Sequence, residues 1–422
     1  MEKKTDDIQE EIEISEVDAL RLRNVCEKHL SRTPCSIENI PAGLGTRRFY
    51  RIEFETGAPS RLIARLEADP ADAQRVRHAK PEPEPPQWLP EPALEPVRTF
   101  LEEAGLPVPK SAFHDAVAGL DLIEDLGDQT LLDVASPERR ERYLEACDLI
   151  TRLQSLHAEP NEIPAFARVY DRALLDTKSW KWLHWTLPFL LGRPATEEEI
   201  AQTTALFDHI HGITDAAPLA LSHRDFKAEN LHLSVSSAAS PPSPGASFSS
   251  GTPRPEPRLV MIDVQGAFLA PPEYDLVCLL CDMQVELGPE EIAALAEHTR
   301  TRLPSAPDRA IFEERFDALM LARVCKDVSH VIHAGLRRGD GRRWKEIPRA
   351  FSLISAVAER RGSTFPGARA LTSVIQALTV AVESADSPHQ GPGESAGKSV
   401  RKSVRKSDES RSDTERRESE QR

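Results

Sequence analysis

The sequence predicts an α+β protein with a small β-rich N-terminal lobe and a large helical C-terminal lobe. Residues 49–54 (FYRIEF) alternate polar and apolar side chains, and residues 61–66 (RLIARL) follow a turn that contains Gly57, which is typical of a β-hairpin. Beyond Ser136, apolar residues recur at helical spacing. The chain has 422 residues, enough for two lobes that each bury a core.

The elements of the small lobe follow in order. Ser15 is suited to cap a helix whose apolar face carries Leu22 and Leu30. Residues 67–96 are acidic and rich in proline, which favours an extended loop. A short helix is predicted at 97–104, followed by a last strand that contains residues 120–123.

In the large lobe, Ser136 can cap a helix and Pro137 suits its first position. Three tryptophans at 180, 182 and 185 indicate either core packing, which we favour, or a surface that stacks on a sugar. Residues 235–257 and 384–422 are polar and cannot bury a core. We therefore expect an arm at 1–14, an N-lobe at 15–125 with a Pro-rich insert at 67–96, a C-lobe at 126–383 with a flexible insert at 235–257, and a disordered tail at 384–422.

Composition limits the classes of function. The formal net charge of −15 argues against a nucleic-acid or membrane-surface binder. The N-terminus is charged and resembles no secretory signal, and no apolar run approaches the length of a membrane span. The six cysteines are scattered, and Cys278 and Cys281 lie in an apolar run, which favours reduced core thiols over a zinc site. We expect a cytoplasmic monomer whose partner is a small-molecule substrate, with no nucleic acid and no membrane.

The chemistry of the chain is indicated by one loop and one strand. Residues 223–230 read HRDFKAEN, and residues 259–263 read LVMID. Asp225 is placed to orient an attacking hydroxyl, whereas Asn230 and Asp263 offer the hard oxygen ligands that Mg²⁺ prefers. This spacing parallels the protein-kinase signature, but neither the Phe-Gly nor the Ala-Pro-Glu of protein kinases follows. The alternative is an ordinary loop and strand with polar turns.

The same residues resemble a known superfamily. The stretch 223–230 resembles the Brenner-type loop of the aminoglycoside phosphotransferase and choline kinase superfamily. Residues 262–267 (IDVQGA), 271–276 (PPEYDL), 122–130 (LIEDLGDQT) and 170–175 (YDRALL) resemble bacterial N-acetylmuramate/N-acetylglucosamine anomeric kinases. Gly266 departs from that pattern, because those kinases carry an acidic residue there. The resemblance implies a two-lobed protein-kinase-like fold and transfer of the ATP γ-phosphate to a small-molecule hydroxyl.

The candidate ATP-binding residues are less sharply indicated. Gly43, Gly45 and Thr46 lie in a glycine-containing turn that would let backbone approach phosphates, although a plain turn fits nearly as well. Arg65 is the nearest cation to the position where protein kinases carry a lysine. The resemblance implies that backbone groups between Glu124 and Leu126 bind adenine.

Four further residues are expected to support the site: His223, Arg224, Gln265 and Asp275. Arg224 would steady charge on the transferred phosphoryl group or simply pair with an acidic neighbour. The resemblance implies that Asp275 buttresses the catalytic loop from the next helix.

The sequence leaves several classes of phosphate acceptor open. The resemblance implies an amino sugar phosphorylated at its anomeric hydroxyl, in cell-wall recycling. An aminoglycoside or a choline-like alcohol is the alternative acceptor, and an acidic protein leaves room for a cationic one. A nucleotide-binding pseudokinase is the non-enzymatic alternative, favoured by the missing lysine and opposed by the intact Asp225, Asn230 and Asp263.

Overall fold

The computed structural model describes residues 15–41, 47–67, 85–234 and 257–384, with the backbone alone described at 337 and 338. The chain divides into two compact units. The first comprises Met1–Glu82, Ala93–Thr130 and Leu231–Gln265, and the second comprises Pro83–Pro92, Leu131–Asn230 and Gly266–Arg422. The N-terminal arm, most of the Pro-rich insert, almost all of the 235–257 insert and the C-terminal tail were predicted from sequence, and they lie outside the described residues.

The first unit contains a five-stranded antiparallel sheet in the order β1-β2-β3-β5-β4. Its strands are β1 (Ser36–Ile40), β2 (Arg48–Glu53), β3 (Arg61–Leu66), β4 (Ser111–Asp115) and β5 (Leu120–Glu124). The hairpin predicted from the alternating pattern is thus present as β2 and β3. Alternate residues of these strands face one side, where Tyr50, Ile52, Leu62 and Ala64 pack with Leu22.

Helices and a second strand pair complete the first unit. Helix α1 (Glu16–Val25) begins after Ser15, whose hydroxyl accepts from the Asp18 N–H at 3.1 Å, as predicted. Helix α2 spans Leu94–Glu103 and begins three residues before the predicted start. Strands β7 (Leu231–Ser234) and β8 (Arg258–Met261) pair antiparallel.

The second unit is largely helical around the long helix α9. Its helices are α3 (Arg139–Gln154), α4 (Arg172–Lys181), α5 (Leu187–Leu191), α6 (Glu197–Asp215), α7 (Tyr274–Leu280), α8 (Pro289–Arg300), α9 (Arg309–Arg338), α10 (Ile347–Arg361) and α11 (Ala368–Ser384). Helix α9 packs against α4, α6, α7 and α10. A short strand pair, β6 (Ala220–Ser222) and β9 (Phe268–Ala270), lies in the same unit.

The predicted start of α3 was wrong. The helix begins at Arg139, and neither Ser136 nor Pro137 belongs to it. Its first residue follows Glu138, which makes no side-chain capping hydrogen bond, so the capping pattern in the sequence does not mark the start.

Two further features concern the class of protein. No helix in the part of the chain that the structure describes is long and apolar enough to span a membrane. All six cysteines are free, and Cys278 and Cys281 are buried as predicted for core thiols.

Candidate active site

Residues 223–230, here called the catalytic loop, follow β6 in the second unit. The Lys227 N–H donates to the Asp225 carbonyl at 2.8 Å, and the Asn230 side-chain amide donates to the same carbonyl at 2.9 Å. Phe226 is fully buried and anchors the middle of the loop. Because Asn230 uses its nitrogen on the loop, its Oδ1 is the atom left to accept a cation.

Asp275 holds the start of the catalytic loop from the first turn of α7. Its fully buried carboxylate accepts the His223 N–H at 2.6 Å and the Arg224 N–H at 3.0 Å. Arg224 has a φ of 82°, in the left-handed region that costs a non-glycine residue about 1–3 kcal/mol. Burial raises the pKa of Asp275 to about 6, although His223 and the two N–H groups oppose part of that rise. Asp275 therefore holds the start of the catalytic loop in place through these two hydrogen bonds.

Arg323 on α9 is the principal partner of the Asp225 side chain. Its Nη2 donates to Asp225 Oδ1 at 2.8 Å, and its Nε donates to Asp327 Oδ2 at 2.7 Å. Its Nη1 donates to the Arg224 carbonyl at 2.8 Å and to the Tyr274 hydroxyl at 3.2 Å. The side chain of Arg323 is only 3% exposed. One buried guanidinium thus fixes both the backbone and the carboxylate of the loop.

The charge state of Asp225 follows from its neighbours. Burial acts to raise the pKa of Asp225, but the positive charge of Arg323 opposes it most strongly. Lys326, Lys227 and Arg224 add to this effect and hold the pKa of Asp225 well below its usual range. Its side chain keeps 27% exposure. Asp225 is therefore an ionised, accessible carboxylate that can accept a hydrogen bond from an incoming hydroxyl.

Two lysines of the second unit are buried or paired. Lys178 is 3% exposed, and among the residues described its Nζ has no hydrogen-bond partner. It lies 4.9 Å from the ring centre of Tyr170 and 5.1 Å from that of Tyr274. Burial lowers the pKa of Lys178 well below its usual value. Lys326 pairs with Asp327 at 2.8 Å.

The three tryptophans differ in burial. Trp182 is 1% exposed and packs in the core, as the favoured interpretation predicted. Trp180 and Trp185 are only partly buried. The Trp185 ring stacks on His333 with centroids 4.2 Å apart, and Lys181 Nζ lies 5.6 Å from that ring. Burial lowers the pKa of Lys181 to about 8. Trp185 and Lys181 thus present an aromatic and cationic face in the second unit.

Asp263 lies in the first unit, two residues beyond the end of β8. Its φ of 61° is left-handed, a conformation that Asp tolerates better than most residues. Gln265 Nε2 donates to Asp263 Oδ1 at 2.5 Å, and Arg47 Nη1 lies 3.8 Å from the same oxygen. The side chain is 39% exposed. These contacts orient a carboxylate that is still partly exposed.

Arg65 lies between two carboxylates in the same unit. Its Nη1 bonds Asp121 Oδ2 at 2.6 Å, and its Nη2 bonds Glu67 Oε1 at 2.6 Å. Asp121 also contacts His114 Nδ1 at 2.5 Å, and Glu67 contacts Arg47 Nε at 3.3 Å. The guanidinium of Arg65 is 5% exposed and its charge is balanced, so Arg47 is the more accessible cation of this network.

Glu124 and Leu126, the two residues predicted to bind adenine, differ in whether their backbone N–H is already hydrogen-bonded. The Glu124 N–H donates to the Lys110 carbonyl at 2.8 Å. Leu126 makes no hydrogen bond with any residue in the described ranges. Of the two predicted contacts, Leu126 is therefore the one whose N–H is open. Gly43, Gly45 and Thr46 lie outside the described residues.

The structure groups the predicted residues separately within each unit. In the second unit it brings together His223, Arg224, Asp225, Asn230 and Asp275, and in the first Asp263, Gln265 and Arg65 are joined through Arg47 and Glu67. Sequence reasoning missed Arg323, Asp327, Lys178 and Arg47. The first three are side chains in the helical part of the chain whose role depends on tertiary contacts, whereas Arg47 directly follows the glycine turn and was the nearest to a sequence signal.

No metal-binding cluster of His, Cys, Asp and Glu side chains is found in the part of the chain described. A magnesium site of the ATP type does not require one, because one or two protein oxygens suffice when phosphates and water supply the rest. Each unit offers one hard oxygen donor among the predicted residues, the Oδ1 of Asn230 in the second unit and the carboxylate of Asp263 in the first.

Comparison with known proteins supplies the family context. No protein-family model matches the chain. It is 27% identical over 271 residues to an N-acetylmuramate/N-acetylglucosamine kinase of Pseudomonas aeruginosa, covering 63% of this chain and 72% of the relative. It is 28% identical over 266 residues to the protein of the same name from Caulobacter vibrioides, covering 60% of this chain and 67% of the relative. The predicted resemblance is confirmed by these names, and so is the predicted enzyme class, a kinase.

A solved structure confirms the fold. The gentamicin–APH(2")-IIa complex superposes with a TM-score of 0.50 at 12% identity, covering 80% of this chain and 96% of that one. At this identity the match concerns fold alone, and the fold is the predicted protein-kinase-like α+β type.

Proposed function

We propose that this protein transfers the γ-phosphate of ATP to the anomeric hydroxyl of an amino sugar, N-acetylmuramate or N-acetylglucosamine. The observation that carries the proposal is the ionised, accessible Asp225, held by Arg323 within the catalytic loop. Two relatives named for these sugars support the choice of acceptor.

Charge does not select the acceptor, because the cations near Asp225 also pair with other carboxylates, Arg224 with Glu91 and Arg323 with Asp327. The choice of an amino sugar over an aminoglycoside or a choline-like alcohol therefore rests on the two named relatives.

The chemistry asked of Asp225 is modest. In phosphoryl transfer through a loose transition state, the base orients the hydroxyl and accepts its proton late. An anomeric hydroxyl is more acidic than an ordinary alcohol, so a weakly basic carboxylate is sufficient. Arg323 supports this role because it fixes the carboxylate that receives the hydroxyl.

The cosubstrate is proposed to be magnesium-ATP. Asn230 Oδ1 and the Asp263 carboxylate would hold Mg²⁺, which neutralises charge on the phosphates when bound. Arg47 would add positive charge near the phosphates, with the turn at Gly43, Gly45 and Thr46, and Arg65 would help to hold Arg47 through Glu67. The Leu126 N–H would bind adenine. The pseudokinase alternative is disfavoured because a scaffold has no need of an oriented, accessible Asp225.

The proposal is tested with sugars and their blocked derivatives. Purified protein with magnesium-ATP is expected to phosphorylate N-acetylmuramate or N-acetylglucosamine, giving a sugar 1-phosphate, and to leave the methyl glycosides untouched because they lack the anomeric hydroxyl. Products are identified by ³¹P NMR. Phosphorylation of the methyl glycosides would contradict the anomeric assignment, and turnover of only an aminoglycoside or choline would favour the alternative acceptors.

Asp263→Ala tests the proposed metal ligand. The variant is expected to weaken binding of magnesium-ATP by about tenfold or more, because a carboxylate contact to the cation is lost, while binding of metal-free ATP changes little. Calorimetry with and without Mg²⁺ measures both affinities. Asp115→Ala is a suitable control, because that carboxylate lies at the end of β4 and caps the turn at Ala118. Equal losses with and without magnesium would remove Asp263 from the metal site.

A further inference from the structure

A second segment of the chain contacts the catalytic loop. Residues 85–92, here called the strap, belong to the second unit. The Trp88 Nε1–H donates to Asp171 Oδ1 at 3.2 Å. Two guanidinium groups lie over its ring, that of Arg168 at 4.7 Å and that of Arg224 at 5.2 Å. The strap therefore packs against Arg224, which immediately precedes Asp225.

The strap also supplies a carboxylate to the catalytic loop. Glu91 Oε1 accepts a hydrogen bond from Arg224 Nη1 at 2.7 Å, and both side chains are less than one-third exposed. Beside this pair, Arg168 donates to the Pro90 carbonyl. Arg168 and Arg224 repel one another, and the negative charge of Glu91 lies close to both. Glu91 thus stabilises two arginines that would otherwise lie together uncompensated.

Gly266 lies beside this pair of side chains. A Cβ placed on Gly266 would lie 3.4 Å from Arg224 Nη1 and 3.6 Å from Glu91 Oε1, which is ordinary contact distance. An acidic side chain at 266 would therefore reach the same guanidinium. Because glycine stands there, the position beside Arg224 is open, and Glu91 fills it from another part of the chain.

We propose that Glu91 is a positioning residue for the catalytic loop, acting through Arg224 on Asp225. Asp275 binds the Arg224 N–H and Arg323 binds its carbonyl, so these two residues hold the strained backbone. The guanidinium lies over the Trp88 ring and donates a hydrogen bond to Glu91, and this hydrogen bond sets the direction of the side chain. In the proposed reaction, this directs the Arg224 charge toward the transferred phosphoryl group.

The inference rests on the proposed phosphotransfer. Its test removes the carboxylate at position 91 and then supplies one from position 266. Glu91→Gln keeps the size of the side chain and removes its charge, and it is expected to lower kcat about tenfold with little change in KM for ATP, since small misplacements of reacting groups are costly. Glu91→Ala is expected to be at least as slow. Adding Gly266→Asp to Glu91→Ala returns a carboxylate to Arg224 and is expected to recover most of the lost kcat.

A matched control separates positioning from general stability. Glu145→Gln removes a carboxylate from an ion pair of the same 2.7 Å length and similar exposure, Arg142–Glu145 on α3, and is expected to leave kcat unchanged. Unchanged kcat in Glu91→Gln, or a double variant as slow as Glu91→Ala, would overturn the proposal.

A readout that does not depend on turnover keeps the two proposals distinguishable. A double-mutant cycle of Glu91→Gln and Arg224→Gln, measured by thermal unfolding, is expected to give a favourable coupling between the two side chains. If the wild type phosphorylates no acceptor while this coupling is present, the proposed function fails and the contact stands. Zero coupling would overturn the positioning role whatever the acceptor.

Discussion

Asp225→Asn is expected to lower kcat by about 10²–10⁴-fold while leaving the affinity for ATP and the melting temperature close to those of the wild type. The amide keeps an oxygen that can accept the hydrogen bond from Arg323, which is 2.8 Å long in the native protein. It cannot accept the hydroxyl proton of the sugar. Single-turnover rates and calorimetric ATP binding measure the two effects separately.

The same variant also tests the assignment of the base. The carbonyl of residue 225, which receives the Asn230 amide and the Lys227 N–H, is unaffected by the substitution. A drop in rate accompanied by unfolding would therefore indicate that Asp225 is structural, and a rate near that of the wild type would show that another group orients the hydroxyl.

The catalytic loop could be predicted from sequence because its information is local. Asp225 and Asn230 are five residues apart in sequence, and their proposed roles follow from residue type and spacing. The hairpin of β2 and β3 was predictable for the same reason, since period-2 alternation is visible in a short window. Helix α3 was misplaced at its start because residues 136–138 form a turn before the helix, which the capping pattern alone does not distinguish from a first helical turn.

The partners of these residues could not be predicted, because they depend on the folded chain. Arg323 meets Asp225 across 98 residues of sequence, and Glu91 meets Arg224 across 133. Arg65 was predicted as a phosphate-binding cation on spacing alone, but its buried pair with Asp121 is formed between strands that are distant in sequence. Gly266 was visible as a departure from the resembled kinases, yet nothing in the sequence indicated what occupies the space beside it.

Arg323→Met is expected to reduce kcat by about 10²-fold and to move the acid limb of the pH–kcat/KM profile to higher pH. The sign follows from the charges. In the native protein Arg323 is the strongest influence opposing the rise that burial imposes on the pKa of Asp225, and the pKa is held low. Without that charge the pKa of Asp225 rises, so protonation of the carboxylate begins at a higher pH and activity is lost there first.

Stability and geometry need separate controls in this experiment. Removing one partner of a buried ion pair costs about 3–5 kcal/mol, because a carboxylate is left uncompensated, so melting temperatures are measured for every variant. Arg323→Lys keeps the charge but cannot reach all four acceptors, and it is expected to retain the native pH limb with a reduced kcat. Arg360→Met breaks a different arginine–aspartate pair, to Asp317 on α9, and is expected to change neither the acid limb of the pH profile nor kcat.

An acid limb that stays in place in Arg323→Met would show that the pKa of Asp225 does not govern the pH dependence. The role of Arg323 would then be limited to holding the loop through the Arg224 carbonyl.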